Sequence, residues 1–186
     1  MWTAKLGKDS SSLAMSKVLT PSVGKRFTGL LLGIDPSLRG TGLAVVEVRG
    51  VESFHLLASE TVKLPTKATM VECLGEIGKR VCALLARYEV GHISVEETIY
   101  VQNFKTAQIM GMARGAALAS AALSDKPIFE YSPLRIKQSV AGFGRASKEQ
   151  VAGQTQALLG LKEALPFDES DAAAVAICHA LTHRLS

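Results

Sequence analysis

The 186-residue sequence has few aromatic residues, few cysteines and no long hydrophobic run. Only 5% of its residues are aromatic, so stacking on nucleic-acid bases would depend on very few side chains. Cys73, Cys82 and Cys178 form no C-x-x-C pair, which argues against a zinc finger and indicates reduced thiols in a cytosol-like compartment. The most apolar stretch, residues 108–123, is interrupted by Arg114 and falls short of the ~20 apolar residues that a membrane span needs.

The net charge of the chain is small, and acidic residues are nearly absent from residues 1–27. The net charge of +4 suits a phosphate-rich partner without requiring one. Residues 1–27 contain one acidic residue and no apolar period, so they are predicted to be a disordered N-terminal extension. An organellar transit peptide is the alternative, but such peptides are rich in arginine and this stretch has only Arg26. Residues 28–186 are expected to form a single domain with one core.

Apolar periodicity predicts a mixed order of strands and helices. The predicted strands are 30–34, 43–46, 54–62, 93–96 and 127–131. The first predicted helix begins at a capping box of Thr69 and Glu72 and continues until Gly91 ends the pattern, and the second covers 104–123. The third is capped at Ser132 with Pro133 at its first position and ends at the bend at 141–145, the fourth is capped at Ser147, and the last runs from Asp168 to about Leu185. Three strands followed by alternating helices and strands predict an α/β fold with one central sheet flanked by helices.

Four carboxylates stand at the ends of these predicted elements. Asp35 follows the first strand, and Glu96 ends the fourth; open α/β sheets usually place their chemistry at such carboxyl ends. Asp168 and Asp171 are three residues apart and share one face of the last helix. Four converging carboxylates would suit two Mg²⁺ ions about 3.5–4 Å apart, which activate water and stabilise the leaving oxygen of a phosphodiester. The first hypothesis is therefore a metal-dependent nuclease.

Each acidic residue also has a purely structural explanation. Asp168 is a candidate N-cap, and Asp171 would then be the acidic residue that the helix dipole favours in the first turn. Glu96 is explained equally well as a solvated strand end, and its neighbour Glu97 is as plausible by charge. Spacing alone leaves these alternatives open.

The basic residues around a glycine-rich bend are a second set of candidates. Lys137, Arg145 and Lys148 bracket this bend, beside the helix that Ser147 caps. Helix N-termini and basic side chains bind phosphates, so these residues are candidate DNA contacts. The alternative is a solvated basic face.

Histidine and the small residues carry weaker signals. His179 lies eight residues after Asp171 on the same stripe, which indicates a histidine at the core edge, and His55, His92 and His183 fit no pattern. The helix over 104–123 is rich in Gly and Ala, so another helix can approach it closely, either within the chain or across a dimer seam.

The motifs together resemble the RuvC family of Holliday junction resolvases. The matching motifs are Gly33-Ile-Asp-Pro36 with Arg39 and Thr41-Gly42, Val95-Glu96, Gly111 with Ala113-Arg114-Gly115, Ile136-Lys137-Gln138, Lys148 with Gln150-Val151, and Asp168-x-x-Asp171-Ala172 with Ala176-Ile177. Their order and spacing agree from about residue 31 to the end of the chain.

The resemblance implies an RNase H-like fold with a five-stranded mixed sheet, and a catalytic metal site. Metal binding and catalysis would fall on Asp35, Glu96, Asp168 and Asp171, which favours Glu96 over Glu97. The implied cofactor is Mg²⁺, with two ions per site and Mn²⁺ as a possible substitute. Lys137 and Lys148 would contact the scissile strand and its phosphates.

The resemblance also implies partners. The protein would be a homodimer, joined through the helix over 104–123, that binds a four-way DNA junction and nicks two symmetric strands during recombination and DNA repair. A branch-migration helicase complex of the RuvA/RuvB type is the implied protein partner. The implied location is the bacterial cytoplasm, in association with the nucleoid.

Two departures from the family pattern concern the DNA-handling parts of the site. The usual Gly-Ser after Asp-Pro is here Ser37-Leu38, so the turn lacks a permissive residue. The position of the family's base-stacking aromatic is Ile99, with Tyr100 next. Base–aromatic stacking contributes about 1–3 kcal/mol per base, so replacing the aromatic residue by Ile99 is expected to change how the junction is held. Ile99 and Tyr100 are both candidate junction contacts, and Tyr100 is a candidate substitute for the stacking residue.

Two other functions compete with the resolvase reading. A related nuclease acting on structured RNA would share the fold, but the Asp168-x-x-Asp171 pair and the long small-residue helix favour the resolvase. A non-catalytic junction-binding protein would have lost some of the four carboxylates, and all four are present.

Overall fold

The computed structural model of this chain describes residues 25–98 and 103–185. Within that part the strands are β1 (Gly29–Asp35), β2 (Gly40–Gly50), β3 (Ser53–Lys63), β4 (Val90–Glu96) and β5 (Ile128–Tyr131), and the helices are α1 (Met70–Arg87), α2 (Phe104–Ala122), α3 (Pro133–Ala141), α4 (Lys148–Leu158) and α5 (Phe167–Thr182). Ile99, Tyr100 and residues 1–24 of the predicted extension lie outside the described residues.

The strands form one sheet in the order β3-β2-β1-β4-β5. The first three strands are an antiparallel meander, whereas β4 and β5 run parallel to β1. This topology confirms the predicted five-stranded mixed sheet. In the register between β1 and β4, Ile34 pairs with Val95, so Asp35 and Glu96 follow side by side at the carboxyl ends of neighbouring parallel strands.

Helices cover both faces of the sheet. Side chains along a strand alternate between the two faces, so each central strand contributes to two apolar layers. On one face, Leu32 and Ile34 pack with apolar residues of α1 and α2. On the other face, Leu31 packs with α3, α4 and the run of small residues from Ala172 to Ala180 in α5. The central strands are thus apolar on both sides, which explains the continuous apolar run of β1.

Two glycines let α5 lie directly against the backbone of the sheet. A methyl group at Gly33 would overlap the carbonyl oxygen of Ala172, and one at Gly42 would overlap that of Asp168. Both glycines sit on the face that α5 covers. Their missing side chains therefore bring the first turns of α5 next to the end of β1.

The structure confirms the predicted caps of three helices. Thr69 and Ser147 each form a capping box, with Glu72 and Gln150 respectively. Ser132 caps α3, with a proline in the first turn as predicted. These signals are local, which is why the sequence predicts them well.

Two predicted boundaries near Gly91 and Asp168 are wrong. Helix α1 ends at Arg87, and Gly91 lies inside β4, which begins three residues before the predicted start. Helix α5 begins after Pro166 without a side-chain cap, so Asp168 is not its N-cap, and the helix ends at Thr182 rather than near Leu185. Tertiary packing explains the glycine at position 91, because a methyl group there would lie 3.0 Å from the ring of Phe27.

The folded part of the chain also starts before the predicted boundary at residue 28. Phe27 is buried, with 6% of its surface exposed, and Arg26 forms a β-bridge with Arg184. The amide of Leu185 donates a hydrogen bond to the carbonyl of Lys25 at 2.9 Å. Residues 25–27 thus belong to the domain, where they close over its C-terminal residues.

Within the described ranges, no helix is both long enough and apolar enough to cross a membrane.

Candidate active site

The four predicted carboxylates are brought to one end of the sheet. Asp35 is the last residue of β1, and Glu96 is the last residue of β4. Asp168 and Asp171 lie at the start of α5, which packs across β1 and β2. Residues separated by more than a hundred positions in sequence thus meet at the carboxyl ends of two parallel strands.

A cleft of about 350 Å³ opens at this end of the sheet. Asp35, Glu96, Glu97 and Asp171 contribute its acidic side chains, and Lys137 and Lys148 contribute its basic ones. Met110 of α2 and Ile136, Val151 and Ala174 of the opposite helical layer supply apolar walls. A pocket with an apolar lining and a few convergent charged groups is the expected form of a catalytic site.

Asp168 lies at the edge of this cleft rather than in its lining. A methyl group at Gly40 would lie 3.1 Å from Asp168 Oδ2, which places that carboxylate beside the start of β2. Its charge nevertheless acts on the cleft, because it raises the pKa of both Asp35 and Asp171. The two aspartates of α5 therefore flank the site from one helix.

Burial and mutual repulsion make the acidic side of the cleft difficult to ionise fully. Burial raises the pKa of Asp35 to about 6, and the negative charge of Asp171 adds to the effect. Burial also raises the pKa of Glu96 to about 8, with Asp35 as the next contribution. Burial raises the pKa of Asp171, although Lys148 opposes this. Such shifts mark a site that favours a neutralising cation.

Among the described residues, Lys148 is the cation that contacts these carboxylates most directly. Its Nζ forms a salt bridge of 2.8 Å with Asp171 Oδ2 and lies 5.2 Å from the centre of the Phe167 ring. Its hydrogen bond to Asp171 raises the pKa of Lys148, so the ammonium stays charged. Lys148 is the first residue of α4, and its position depends on the Ser147 cap.

The turn after Asp35 is held by side chains instead of by a glycine. The Ser37 amide donates to Thr41 Oγ1 at 3.1 Å, and the buried Thr41 hydroxyl donates back to the Ser37 carbonyl. Arg39 donates to the carbonyls of Pro65 and Ala68 at 2.6 and 2.8 Å. Ser37 and Leu38 have no positive φ, so the loss of the family's glycine does not strain this turn.

Glu169 anchors the first turn of α5 to the meander. Its carboxylate accepts hydrogen bonds from Ser59 Oγ at 2.6 Å and Thr61 Oγ1 at 3.3 Å, both on β3. These contacts fix the start of the helix that carries Asp168 and Asp171. The sequence did not single out Glu169, because its partners are more than a hundred residues away.

The other candidates fall into three groups. Glu97 follows the end of β4 and lines the cleft as an exposed side chain, whereas Glu96 is partly buried beside Asp35. Arg145 is exposed between α3 and α4 and does not line the cleft. Ile99 and Tyr100 follow Glu96 closely in sequence, but they lie outside the described residues.

The carboxylates fit a site for hard divalent cations. The charged groups of β4 and α5 that act on Asp35 are all carboxylates. Carboxylate oxygens are the ligands that Mg²⁺ and Mn²⁺ prefer. Among the described residues, no three of these acids bring their oxygens within 4.8 Å of one another.

A tighter cluster of possible ligands lies at the opposite end of the same elements. In the described part of the chain, the only three His, Cys, Asp or Glu residues whose ligand atoms all lie within 4.8 Å are His92, His179 and His183. Burial lowers the pKa of all three, that of His179 to about 3. Sequence reasoning missed this cluster; its one available signal was the four-residue spacing of His179 and His183.

Comparison with known proteins agrees with this geometry. Residues 31–179 match the family described as "Crossover junction endodeoxyribonuclease RuvC". A protein of that name from Moorella thermoacetica is 43% identical over 152 residues, which cover 81% of this chain and 90% of the relative.

Solved structures give the same result. The structure described as "T. thermophilus RuvC in complex with Holliday junction substrate" is 38% identical, with a TM-score of 0.77, and the match covers 82% of this chain and 93% of that one. The yeast mitochondrial Holliday junction resolvase is 12% identical with a TM-score of 0.59 over 82% of this chain and 79% of the other, a likeness of fold alone.

Proposed function

This chain belongs to the RuvC family of crossover junction endodeoxyribonucleases, and we propose that it cleaves Holliday junctions at the carboxylate cleft between β1, β4 and α5. The family is one of metal-dependent, junction-resolving nucleases. The observation that carries the proposal is the convergence of Asp35, Glu96 and Asp171 in one cleft, opposite Lys137 and Lys148. Family membership favours junction DNA over the structured RNA considered above.

Two Mg²⁺ ions per site are the proposed cofactor, with Mn²⁺ as a substitute; when bound, they supply an activated water and stabilise the leaving oxygen. Asp35 is the central ligand in this proposal, because Glu96 of β4 and both Asp168 and Asp171 of α5 act on its carboxyl group. Glu96 holds the β4 side of the site, and Asp168 and Asp171 hold the α5 side. The apolar walls limit competing water at the reacting phosphate.

The lysines of the cleft position the DNA backbone in this proposal. Lys137 on α3 and Lys148 on α4 face the carboxylates, where a phosphate bridging the two sides would meet both charges. Lys148 also orients Asp171 through their salt bridge. Arg145 is exposed nearby and is proposed as a peripheral phosphate contact. Binding that rests on such contacts weakens steeply as salt rises.

A homodimer through α2 is proposed from the two faces of that helix. Ala113, Ala117 and Ala121 are buried against the core of the same chain. Open space surrounds Gly111 and Gly115, and Phe104, Met112 and Leu123 are exposed large apolar residues. A symmetric pair would fix two cleavage sites at a set separation, which matches a four-way junction and not a linear duplex.

The direct test is cleavage of a synthetic mobile four-way junction in Mg²⁺ by the intact chain and by Asp35→Asn. We expect paired symmetric nicks from the intact chain, no nicks from Asp35→Asn, and retained junction binding by both. Asp125→Asn, the same change in an exposed loop, is the matched control and should cleave normally.

Two results would contradict the proposal. Equal cleavage by Asp35→Asn would remove that carboxylate from the site, and junction binding without cleavage by the intact chain would indicate a binding protein. The helicase partner, the location in the cytoplasm at the nucleoid and the junction contacts of Ile99 and Tyr100 remain predictions from the family resemblance.

A further inference from the structure

We propose that His92, His179 and His183 form a second metal site, of the zinc class, at the end of the domain opposite the carboxylates. His92 lies four positions before Glu96, about 13 Å along β4. His179 lies eleven positions after Asp168 and eight after Asp171, about 16 Å and 12 Å along α5. The two sites are therefore independent, and this proposal does not rest on the nuclease proposal.

The donor set is the first argument for zinc. His179 and His183 are four residues apart, so the turn of α5 between them presents both imidazoles on one side. His92 approaches them from β4, and all three ligand atoms lie within 4.8 Å of one another. Three imidazoles from a helix and a strand are a donor set that zinc accepts, with water in the fourth position.

The spacing of the first pair is the second argument. His92 Nδ1 and His179 Nε2 are 3.0 Å apart. Two imidazole nitrogens on a tetrahedral zinc lie about 3.3 Å apart, given bonds of about 2.0–2.1 Å. The two rings thus need almost no movement. The ring of His183 stacks on that of His179 at 4.6 Å, and it completes the site by turning toward His92.

The surroundings of His179 supply what a metal-bound imidazole needs. Its side chain is fully buried, and its other nitrogen, Nδ1, lies 2.7 Å from the Tyr131 hydroxyl. In the metal-bound form Nδ1–H donates to this hydroxyl, which orients the ring and puts the lone pair that binds the ion on Nε2. Phe27 and Phe129 pack against the cluster with ring centres 4.3 Å from His92 and 4.6 Å from His179, so they limit solvent access.

A metal here would add a link between the end of α5 and β4, next to the segment that closes over the C-terminal residues. His183 is the cap of α5, directly before the Arg184 bridge to Arg26, and Phe27 covers His92. Zinc would link the end of α5 to β4 beneath this closing segment. The expected role is structural: it stabilises the closure of the two chain ends without taking part in cleavage.

The test is zinc binding by the full chain, freed of metal and then kept in excess Mg²⁺ so that the carboxylates are occupied. Titration calorimetry should show about one zinc per chain, and zinc at 100 times its Kd should raise the Tm by about 5–10 °C. Co²⁺ in place of zinc should give the visible absorption of a tetrahedral nitrogen site.

The variants assign the binding to these histidines. His183→Gln and His92→Gln should each weaken zinc binding at least about tenfold, and both side chains are only partly buried, so the fold should survive. His55→Gln, an exposed histidine on β3, is the matched control and should bind as the intact chain does. Circular dichroism without metal verifies that each variant is folded.

Three outcomes would overturn the proposal. The first is no zinc binding by the intact chain. The second is zinc binding by the two histidine variants as tight as that of His55→Gln. The third is loss of binding in Cys82→Ser, which would move the zinc to an exposed thiol. In each case the cluster would be a hydrogen-bonded chain from Tyr131 through His179 to His92, with no metal function.

Discussion

Two adjacent glutamates at the end of β4 differ in what surrounds them. Glu96 is partly buried, and the charges of Asp35 and Asp171 act on it. Glu97 lies beyond the strand and is exposed, and its amide donates to the carbonyl of Tyr131 at 2.9 Å. Both glutamates line the cleft, but only Glu96 is withdrawn from solvent beside Asp35.

Replacing each glutamate in turn tests this difference. Glu96→Gln should lower junction cleavage at least about a hundredfold, because it removes a proposed metal ligand. Glu97→Gln makes the same chemical change one residue later and should stay within about threefold of the intact chain. Single-turnover cleavage at saturating Mg²⁺ gives both values. Equal losses would mean that the cleft needs negative charge rather than Glu96.

The raised pKa values at the cleft also predict how stability depends on pH. A carboxyl group whose pKa is higher in the folded than in the unfolded state binds more protons when folded. Stability therefore falls as the pH rises from the unfolded value of about 4.5 through the folded value, about 8 for Glu96. Below pH 4 the effect is absent, because both states are protonated.

Glu96→Gln should consequently stabilise the metal-free protein at pH 8, by about 1–2 kcal/mol, and have little effect on stability at pH 4. Urea unfolding in a chelator at the two pH values measures this difference. Mg²⁺ should reverse the order at pH 8, because it stabilises the intact chain more. A variant that is less stable at pH 8 without metal would show that Glu96 makes a favourable contact there.

The site depends on how closely α5 approaches the sheet. Gly33 and Gly42 lie under the helix, where a side chain would meet the carbonyls of Ala172 and Asp168. Glu169 adds hydrogen bonds from the first turn to β3. The position of this helix sets the distance between the carboxylates of α5 and Asp35.

Gly42→Ala should therefore displace the start of α5, destabilise the domain by about 2–3 kcal/mol and reduce cleavage at temperatures where it is still folded. Gly50→Ala is the matched control on the same strand, since nothing lies within 4 Å of its added methyl group. Its stability should change by less than about 0.5 kcal/mol. Thermal unfolding and junction cleavage compare the two. Equal stability would mean that the helix accommodates the methyl group.

At the scale of the whole molecule, the proposed dimer would pair two sites through the exposed face of α2. Gly111 and Gly115 have open space around them, and the exposed apolar residues lie at the ends and middle of the same helix. An isolated chain could nick one strand, but paired symmetric nicks need two sites held in a fixed relation.

Gly111→Arg should therefore separate the proposed dimer and abolish paired nicking, while single nicks persist at a lower rate. Gly153→Arg, on the exposed face of α4 with equally open space, is the matched control and should remain dimeric. Sedimentation velocity and a supercoiled cruciform substrate, which distinguishes one nick from two, provide the measurements. A Gly111→Arg protein that stays dimeric would move the interface off this face.

The sequence by itself determined the order of strands and helices, three helix caps, the four carboxylates at element ends and the family. These features are encoded locally: caps depend on residues three apart, strands on short apolar runs, and the family motifs on fixed spacing. The four acids were identifiable because they stand where predicted elements end.

Only the tertiary structure decided the features that depend on distant residues. Periodicity could not choose between Glu96 and Glu97, and the family resemblance made that choice; the structure then showed their different surroundings. It placed Gly91 inside β4, where the missing side chain leaves room for the ring of Phe27. It also revealed the hydrogen bonds by which Glu169 holds the start of α5 to β3. It also joined His92 to His179 and His183, although the chain separates them by more than eighty residues. Such contacts arise from strand pairing and helix packing, which no local pattern records.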